Sequence, residues 1–231
     1  MKLSVIVPAF NEEKLLATTL ACIRDAAEGM DAELIVCDNN STDRTAEIAR
    51  QAGATVVFEP VNQISRARNA GAAAASGDWL VFIDADSFPD RALFAELAEA
   101  IASGRCVGGG ATVRFDEADR ASHGAVAIWN AISRSMRWAA GSFVFCEARA
   151  FRALGGFSTD LYASEEIDFS RRLKRLGRLT ILHRHPLRTS GRKVKLYSKA
   201  EYLKLLAKVV LSGGRSLRSR DDCFAWYDGR R

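Results

Sequence analysis

The five cysteines (Cys22, Cys37, Cys106, Cys146, Cys223) are an odd, scattered set with no Cys-x-x-Cys pair and no zinc-like spacing. That argues against a disulfide framework and a structural zinc, and implies reduced thiols in a cytosolic protein. No segment reaches the ~18 to 20 apolar residues needed to cross a bilayer. The apolar stretch Leu3 to Val7 runs directly into Asn11-Glu12-Glu13 and is too short for a signal peptide. The expectation is a cytoplasmic protein whose membrane contact, if it has one, is peripheral and at the inner face. No low-complexity linker divides the chain, and no recognised nucleic-acid motif is present. A Gly-rich basic loop after the first strand, which a nucleotidyltransferase would carry, is also missing; Pro8-Ala9-Phe10-Asn11-Glu12-Glu13 stands there instead.

What is present is a chain of 231 residues, 48% hydrophobic and 26% charged, enough for one globular domain with a substantial core. Its charge is polarised. From Met1 to Ser170 there are 15 Lys and Arg against 24 Asp and Glu, a net of −9; from Arg171 to Arg231 the count is 18 against 4, a net of +14. An acidic body with a basic final quarter points to an acidic site and to an anionic partner for the tail, a phosphate-rich substrate or an anionic membrane. The same acidic body would repel nucleic acid.

Leu3–Val7, Glu33–Cys37, Thr55–Phe58 and Trp79–Ile83 are short apolar runs, each followed by turn residues. Helical spacing follows the first three, over 13–27, 42–52 and 65–75. Continuously apolar strands alternating with helices predict a parallel sheet covered on both faces. After Pro89 the repeat breaks: a helix over 90–102, a Gly-rich strand over 107–115, a helix over 118–136, a strand over 142–146, a loop opened by Gly155-Gly156-Phe157, a helix over 166–176, a strand over 179–182 and a helix over 199–211. The predicted division is a nucleotide-binding half (1–88), an acceptor-side half (89–182) and a basic tail (183–231) within a single domain.

Ligands of open α/β sheets collect beyond the carboxyl ends of the strands. Those exits are Pro8-Ala9-Phe10-Asn11-Glu12, Asp38-Asn39-Asn40-Ser41-Thr42-Asp43 and Asp84-Ala85-Asp86. The last places two carboxylates where a hard cation, Mg2+ or Mn2+, could bind while keeping positions open for phosphate oxygens.

Five segments in this order resemble family 2 glycosyltransferases of the GT-A fold. They are residues 4–13 around Pro8 and Asn11-Glu12; 37–45 around Asp38; Ala67-Arg68-Asn69-Ala70-Gly71; 77–86, ending in Asp84-Ala85-Asp86; and Gly155-Gly156-Phe157 with Glu165-Glu166-Ile167-Asp168. The resemblance spans roughly residues 2–177. It implies a Rossmann-like, mostly parallel sheet with helices on both faces and a smaller acceptor-side region. It implies a hexosyltransferase using a UDP- or GDP-linked sugar, a divalent cation, and an acceptor hydroxyl on a lipid-linked molecule, a glycan or a small molecule. Pro8, Phe10, Glu12 and Asp38 would line the nucleoside pocket, Asp38 accepting from the base, with Ala9, Asn40 and Ala85 also binding the nucleotide sugar, Asp84 on the ribose or the metal and Asp86 on the metal. Glu166 would be the general base of an inverting displacement, with Glu165 in reserve because this chain has Glu-Glu where the family usually has Glu-Asp; retention is the alternative outcome, since related GT-A enzymes do both.

Alternatives stand beside these roles. Asp38 and Ser41 could cap the following helix. Either Arg66 or Arg68 could contact the nucleotide, or pair elsewhere. Asp168 could act in the chemistry or simply sit in a helix's first turn. His185 could be a third metal ligand beneath a basic lid over 188–193, or a surface residue. In the last helix, Leu203, Leu206 and Val210 form a stripe that either packs on the core or lies on an anionic membrane. A nucleotidyltransferase and a non-catalytic lipid- or nucleotide-binding module are the competing functions.

Overall fold

The computed structural model describes residues 1–116, 120–139, 141–192, 196 and 199–227. Among them, eight strands form one sheet in the order β3-β2-β1-β4-β7-β6-β8-β5. The first half alternates as predicted: β1 (Leu3–Ala9), α1 (Leu16–Ala26), β2 (Ala32–Asp38), α2 (Thr45–Gln51), β3 (Thr55–Phe58), α3 (Ile64–Ala73) and β4 (Trp79–Ile83). These four strands are parallel. β1 and β4 are buried along their whole length, and their alternate residues feed two cores. Leu3, Val5, Val7, Val81 and Ile83 pack with Leu16, Leu20 and Ile23 of α1 and with Phe94 and Leu97 of α4 (Arg91–Ala102). Ile6, Leu80 and Phe82 point the other way, into Phe151, Phe157 and Phe169; the Phe157 ring lies 5.0 Å from Phe82 and 4.7 Å from Phe169. Pro8 is accommodated inside β1 because it lies past the last β1–β4 pair, Ile6↔Phe82, where one flank of the strand is free of the ladder.

The second half comprises β5 (Ser87–Phe88), α4, β6 (Gly108–Phe115), α5 (Arg120–Met136), β7 (Phe143–Glu147), α6 (Ala148–Ala153), α7 (Glu165–Leu173) and β8 (Leu179–Thr189). β7 runs antiparallel between β4 and β6 and so joins the halves into one sheet. The glycines of β6 are a packing requirement: a Cβ on Gly109 would collide with the Thr180 carbonyl of β8. Beyond β8 come α8 (Lys199–Leu211), a 3₁₀ turn at Arg215–Arg218 and α9 (Phe224–Tyr227).

Two short elements, β5 and α6, escape the sequence pattern because two and six residues carry no legible period. β8 is longer than the predicted 179–182, so the expected boundary at 182/183 falls inside a strand. Its pairing with β6 skips from Ala111↔Leu182 to Val113↔Leu187, and the bulged residues lose the apolar alternation by which a strand is read. Buried Glu96 of α4 closes this bulge, accepting the backbone N–H groups of His183 (2.9 Å), Arg184 (3.3 Å) and His185 (3.1 Å). All five cysteines are free.

At the opposite end of β1, Glu33 ties three segments together. It accepts from Ser4 Oγ at 2.5 Å, the Ser76 N–H at 2.7 Å and Lys2 Nζ at 3.1 Å. Burial disfavours its charge, but these bonds outweigh burial and hold its pKa down to about 2 from 4.5. Its contribution is therefore fully present above the unfolded pKa and is lost as pH falls from about 4.5 to about 2. Glu33→Gln should cost about 2 kcal/mol at neutral pH, a figure discounted for partial exposure. Urea titrations of both proteins should show that gap closing at acid pH; an equal gap at both pH values would contradict the assignment.

Candidate active site

After β1 the chain steps outward to β2 and β3, then returns to β4 on the other flank of β1. The crevice between the carboxyl ends of β1 and β4 is therefore the topological switch point, where open α/β sheets take ligands. The loop after β1 is stitched to the loop after β2. The Asn11 N–H donates to Ser41 Oγ (2.9 Å), the Thr42 N–H to Asn11 Oδ1 (2.8 Å) and the Glu12 N–H to Thr45 Oγ1 (2.8 Å). Asn11 takes φ 51° to make this turn. Much of the polar character of residues 11–13 and 41–45 is spent in this mutual locking, which rigidifies the rim. Ser41 thus serves the β1 loop rather than capping α2.

A cleft of about 530 Å3, counted with its open mouth, lies at the switch point and is lined by Pro8, Ala9, Phe10, Glu12, Asn62, Ile64, Asp84, Ala85, Asp86 and Tyr227. Seven of these ten are residues expected at the site from sequence. The Asp84–Asp86 loop is pinned by its backbone: the Ala85 carbonyl accepts from Thr19 Oγ1 (2.8 Å), the Asp86 carbonyl from the Ser190 N–H (2.9 Å), and the Asp84 N–H donates to the Ser142 carbonyl (3.2 Å). Arg192, from the basic segment after β8, donates through Nη2 to both oxygens of Glu12 at 2.8 Å and comes within 3.9 Å of Asp86 Oδ2. Lys193 lies outside the described residues. Asn62 Nδ2 and Arg192 Nε are buried donors with no partner among the described residues.

Behind Asp84 lies a buried ionic cluster. Arg68 of α3 is 1% exposed and holds three carboxylates: Asp84 Oδ1 at 3.0 Å, Glu165 Oε1 at 2.8 Å and Glu166 Oε1 at 2.9 Å. Burial opposes its charge, yet Glu166, Asp84 and Glu165 together leave its pKa raised. Glu165 is 2% exposed, and burial followed by repulsion from Glu166 raises its pKa; Glu166 keeps 13% of its side chain exposed. Neighbouring groups set the backbone that presents this pair. Asn69 clamps Phe157 by accepting its N–H and donating to its carbonyl, both at 2.9 Å. Gly156 has φ 74°, and a Cβ there would meet Asn69 Oδ1.

Other expected residues sit elsewhere. Asp38 is buried at the end of β2, outside the cleft lining, with Oδ1 accepting the Ser41 N–H at 3.1 Å; Asn40 is exposed at φ 66°. Arg66 is exposed and bonds Gln63 Oε1 at 3.1 Å. Of the two candidate arginines, Arg68 is spent on carboxylates and has no surface left for a nucleotide. The Asp168 carboxylate turns to Arg172 at 2.8 Å, and that arginine also holds the Leu154 and Gly156 carbonyls. The residue is thus part of a loop clamp rather than of the Arg68 cluster. His185 is not brought to Asp84 and Asp86: its side chain is exposed on the β8 bulge and its N–H is fixed to Glu96. Among the described residues no group of three His, Cys, Asp or Glu side chains is gathered to hold a metal.

Sequence reasoning did not single out Asn62, Ile64 or Tyr227. Asn62 lies beyond the exit of β3 and was open to the strand-exit rule. Nothing local marks Tyr227, which arrives by tertiary folding: its Oη accepts the Ile64 N–H at 3.3 Å and its ring lies 5.5 Å from that of Tyr162. Burial raises its pKa. Through Tyr227 the tail supplies a wall of the cleft.

A parallel half carrying an acidic rim, joined by an antiparallel strand to a half carrying a second acidic cluster, is the GT-A architecture. The family model for glycosyl transferase family 2 matches residues 4–154, and the chain belongs to that family. A dolichol-phosphate mannosyltransferase of Pyrococcus furiosus is 35% identical over 112 residues, which is 45% of this chain and 31% of that protein. The chain spans less than half the length of the curated relatives it matches. Among solved structures, the mannosyltransferase PcManGT of Pyrobaculum calidifontis, in complex with GDP-Man and Mn2+, superposes with a TM-score of 0.72 at 21% identity over 94% of this chain and 62% of its own. TarS 1-349 of S. aureus in complex with UDP-GlcNAc gives 0.68 at 17% identity over 100% of this chain and 74% of its own. These likenesses establish the fold. No described helix is long and apolar enough to cross a membrane.

Proposed function

We propose that this chain transfers a hexose from a UDP- or GDP-linked sugar to an acceptor hydroxyl, with inversion by a single in-line displacement. The observation that carries the reading is the chain of contacts from the cleft floor to a partly exposed carboxylate, Asp84 to Arg68 to Glu166. In this reading the acceptor oxygen attacks the anomeric carbon, Glu166 takes the hydroxyl proton, and the nucleotide diphosphate departs from the opposite face. Pro8, Ala9, Phe10 and Tyr227 flank the nucleotide, and Asn62, whose Nδ2 has no partner among the described residues, lines the same cleft and would donate to a ligand oxygen. Asp38, whose Oδ1 accepts the Ser41 N–H, would accept from the nucleobase through its other carboxylate oxygen.

Asp84 and Asp86 are hard oxygen donors on the floor of the same cleft, a set that suits Mg2+ or Mn2+ when phosphate oxygens complete the shell. Bound there, the cation would neutralise charge on the leaving diphosphate. A peripheral contact with an anionic membrane at the cytoplasmic face belongs to the same reading.

The test is a panel of nucleotide sugars scored for nucleotide diphosphate release with Mn2+, with Mg2+ and with chelator. Release from at least one donor is expected, falling by ~10-fold or more in chelator and in Asp86→Ala. Undiminished release in chelator would overturn the metal role; no release and no nucleotide binding for any donor would overturn the enzyme reading.

A further inference from the structure

Helix α5 carries an apolar stripe on its exposed side as well as half-buried Val126 and Trp129 on its inner side. The side chains it buries or half-buries against the sheet include polar ones: Asn130 accepts the Val113 N–H at 3.0 Å and donates to its carbonyl at 2.9 Å, and buried Ser133 donates to the Trp138 carbonyl at 2.8 Å. Facing out, at i, i+4 and i+8, are Ile128 (66% exposed), Ile132 (41%) and Met136 (46%), with exposed Ala125 one turn earlier. A surface helix of a globular protein normally carries charged and polar residues on its outer face, and a contiguous apolar stripe on the outside marks a contact with another phase or molecule.

The surroundings say which. The stripe ends in a cluster of positive charge. Arg134 and Arg137 are exposed, Arg171 of α7 lies 5.2 Å from the Trp138 ring, and Lys174 Nζ donates to the Met136 carbonyl. Desolvation first, then the charges of Arg137 and Arg171, lower the Lys174 pKa, so these cations are close enough to repel one another. Exposed Arg175 and Leu176 follow on the same turn. An apolar stripe bordered by clustered cations is complementary to an anionic bilayer, whose acyl region takes the isoleucines and whose headgroups take the charges. A polyanion in water would use the cations and leave the stripe uncovered.

We propose that α5, with the Arg137–Arg171–Lys174 cluster at its end, is the face by which this protein docks on an anionic lipid bilayer. The tail helix α8, expected from sequence to make this contact, presents exposed Val210 and Leu211, while the side chains of Leu203 and Leu206 lie outside the described residues. Docking through α5 does not rest on the transfer reaction. On the reading of Glu166 above, it also favours a lipid-linked acceptor, because the Ala139 carbonyl just past α5 is held by Ser170 Oγ of α7 at 2.9 Å, on the helix that carries Glu166.

The test is co-sedimentation of the whole chain with phosphatidylglycerol-containing and with purely phosphatidylcholine vesicles, at low and high salt, alongside sedimentation velocity without lipid. The wild-type protein should bind the anionic vesicles at low salt and be released by high salt. Ile128→Asp/Ile132→Asp, at exposed positions, should lower the bound fraction ~10-fold or more with an unchanged melting curve. Arg137→Glu/Arg171→Glu should abolish the salt-sensitive part, which keeps the proposal testable if the first variant is unstable. Val210→Asp/Leu211→Asp should bind as wild type. Wild-type binding by the α5 variants, or no binding by the intact chain, overturns the proposal; so does a dimer that the isoleucine variant splits, which would make a second copy the occupant.

Discussion

Glu166→Gln should slow sugar transfer by roughly 10²- to 10⁴-fold, the range for losing a positioned proton acceptor, while donor affinity stays within about twofold. Gln keeps the length of the side chain and one carbonyl oxygen facing Arg68, so the packing of α7 survives, but the amide cannot take the acceptor's proton. Glu165→Gln is the control. That carboxylate is 2% exposed and bonded to Arg68, with no surface for an acceptor, so its loss should appear chiefly in stability. Single-turnover transfer and calorimetric donor binding on both variants separate the roles. A larger loss of transfer in Glu165→Gln, with Glu166→Gln near normal, would move the base by one residue.

Arg68→Met should destabilise the fold by about 3 to 5 kcal/mol, the cost of removing one partner from a buried ionic cluster. Three carboxylates would be left around an apolar side chain, and the pKa of Glu165, already raised by burial and by Glu166, would rise further without the arginine that now lowers it. The folded variant then binds more protons than the unfolded chain, so its stability must fall as pH rises. The deficit should therefore be smaller near pH 5 than near pH 8, in chemical melts followed by circular dichroism. Arg68→Lys should restore little, since one ammonium cannot reproduce the separate bonds of Nη1 and Nη2. A pH-independent deficit below 1 kcal/mol would show that the cluster is not electrostatically coupled. On the proposed reaction, Arg68 acts through Asp84 and Glu166 and is a positioning residue.

The parallel half was legible because its strands are apolar from end to end and its helices keep their period. The cleft floor was legible because a strand must end before its carboxylates can be displayed, so Asp84 and Asp86 announce themselves after Ile83. Arg68 was harder: helical geometry placed it on a different face from Arg66 and Asn69, but only the fold shows that this face meets α7 from about a hundred residues further on. His185 misled for a related reason. A histidine between an arginine and a proline gives no sign that Glu96, on another element, will seize the backbone around it and turn the segment into a bulge.

Residue order thus determined the fold class, the β1 and β4 exits that line the cleft, and the acidic character of both clusters, since these follow from local period, turn chemistry and charge. Tertiary structure decided which acidic groups meet. It buried Glu165 and left Glu166 partly open, sent Asp168 to Arg172, brought Arg192 and Tyr227 to the cleft, and put an apolar stripe of α5 outward. Each of these depends on contacts between segments far apart in the chain, whose mutual distance no local pattern encodes.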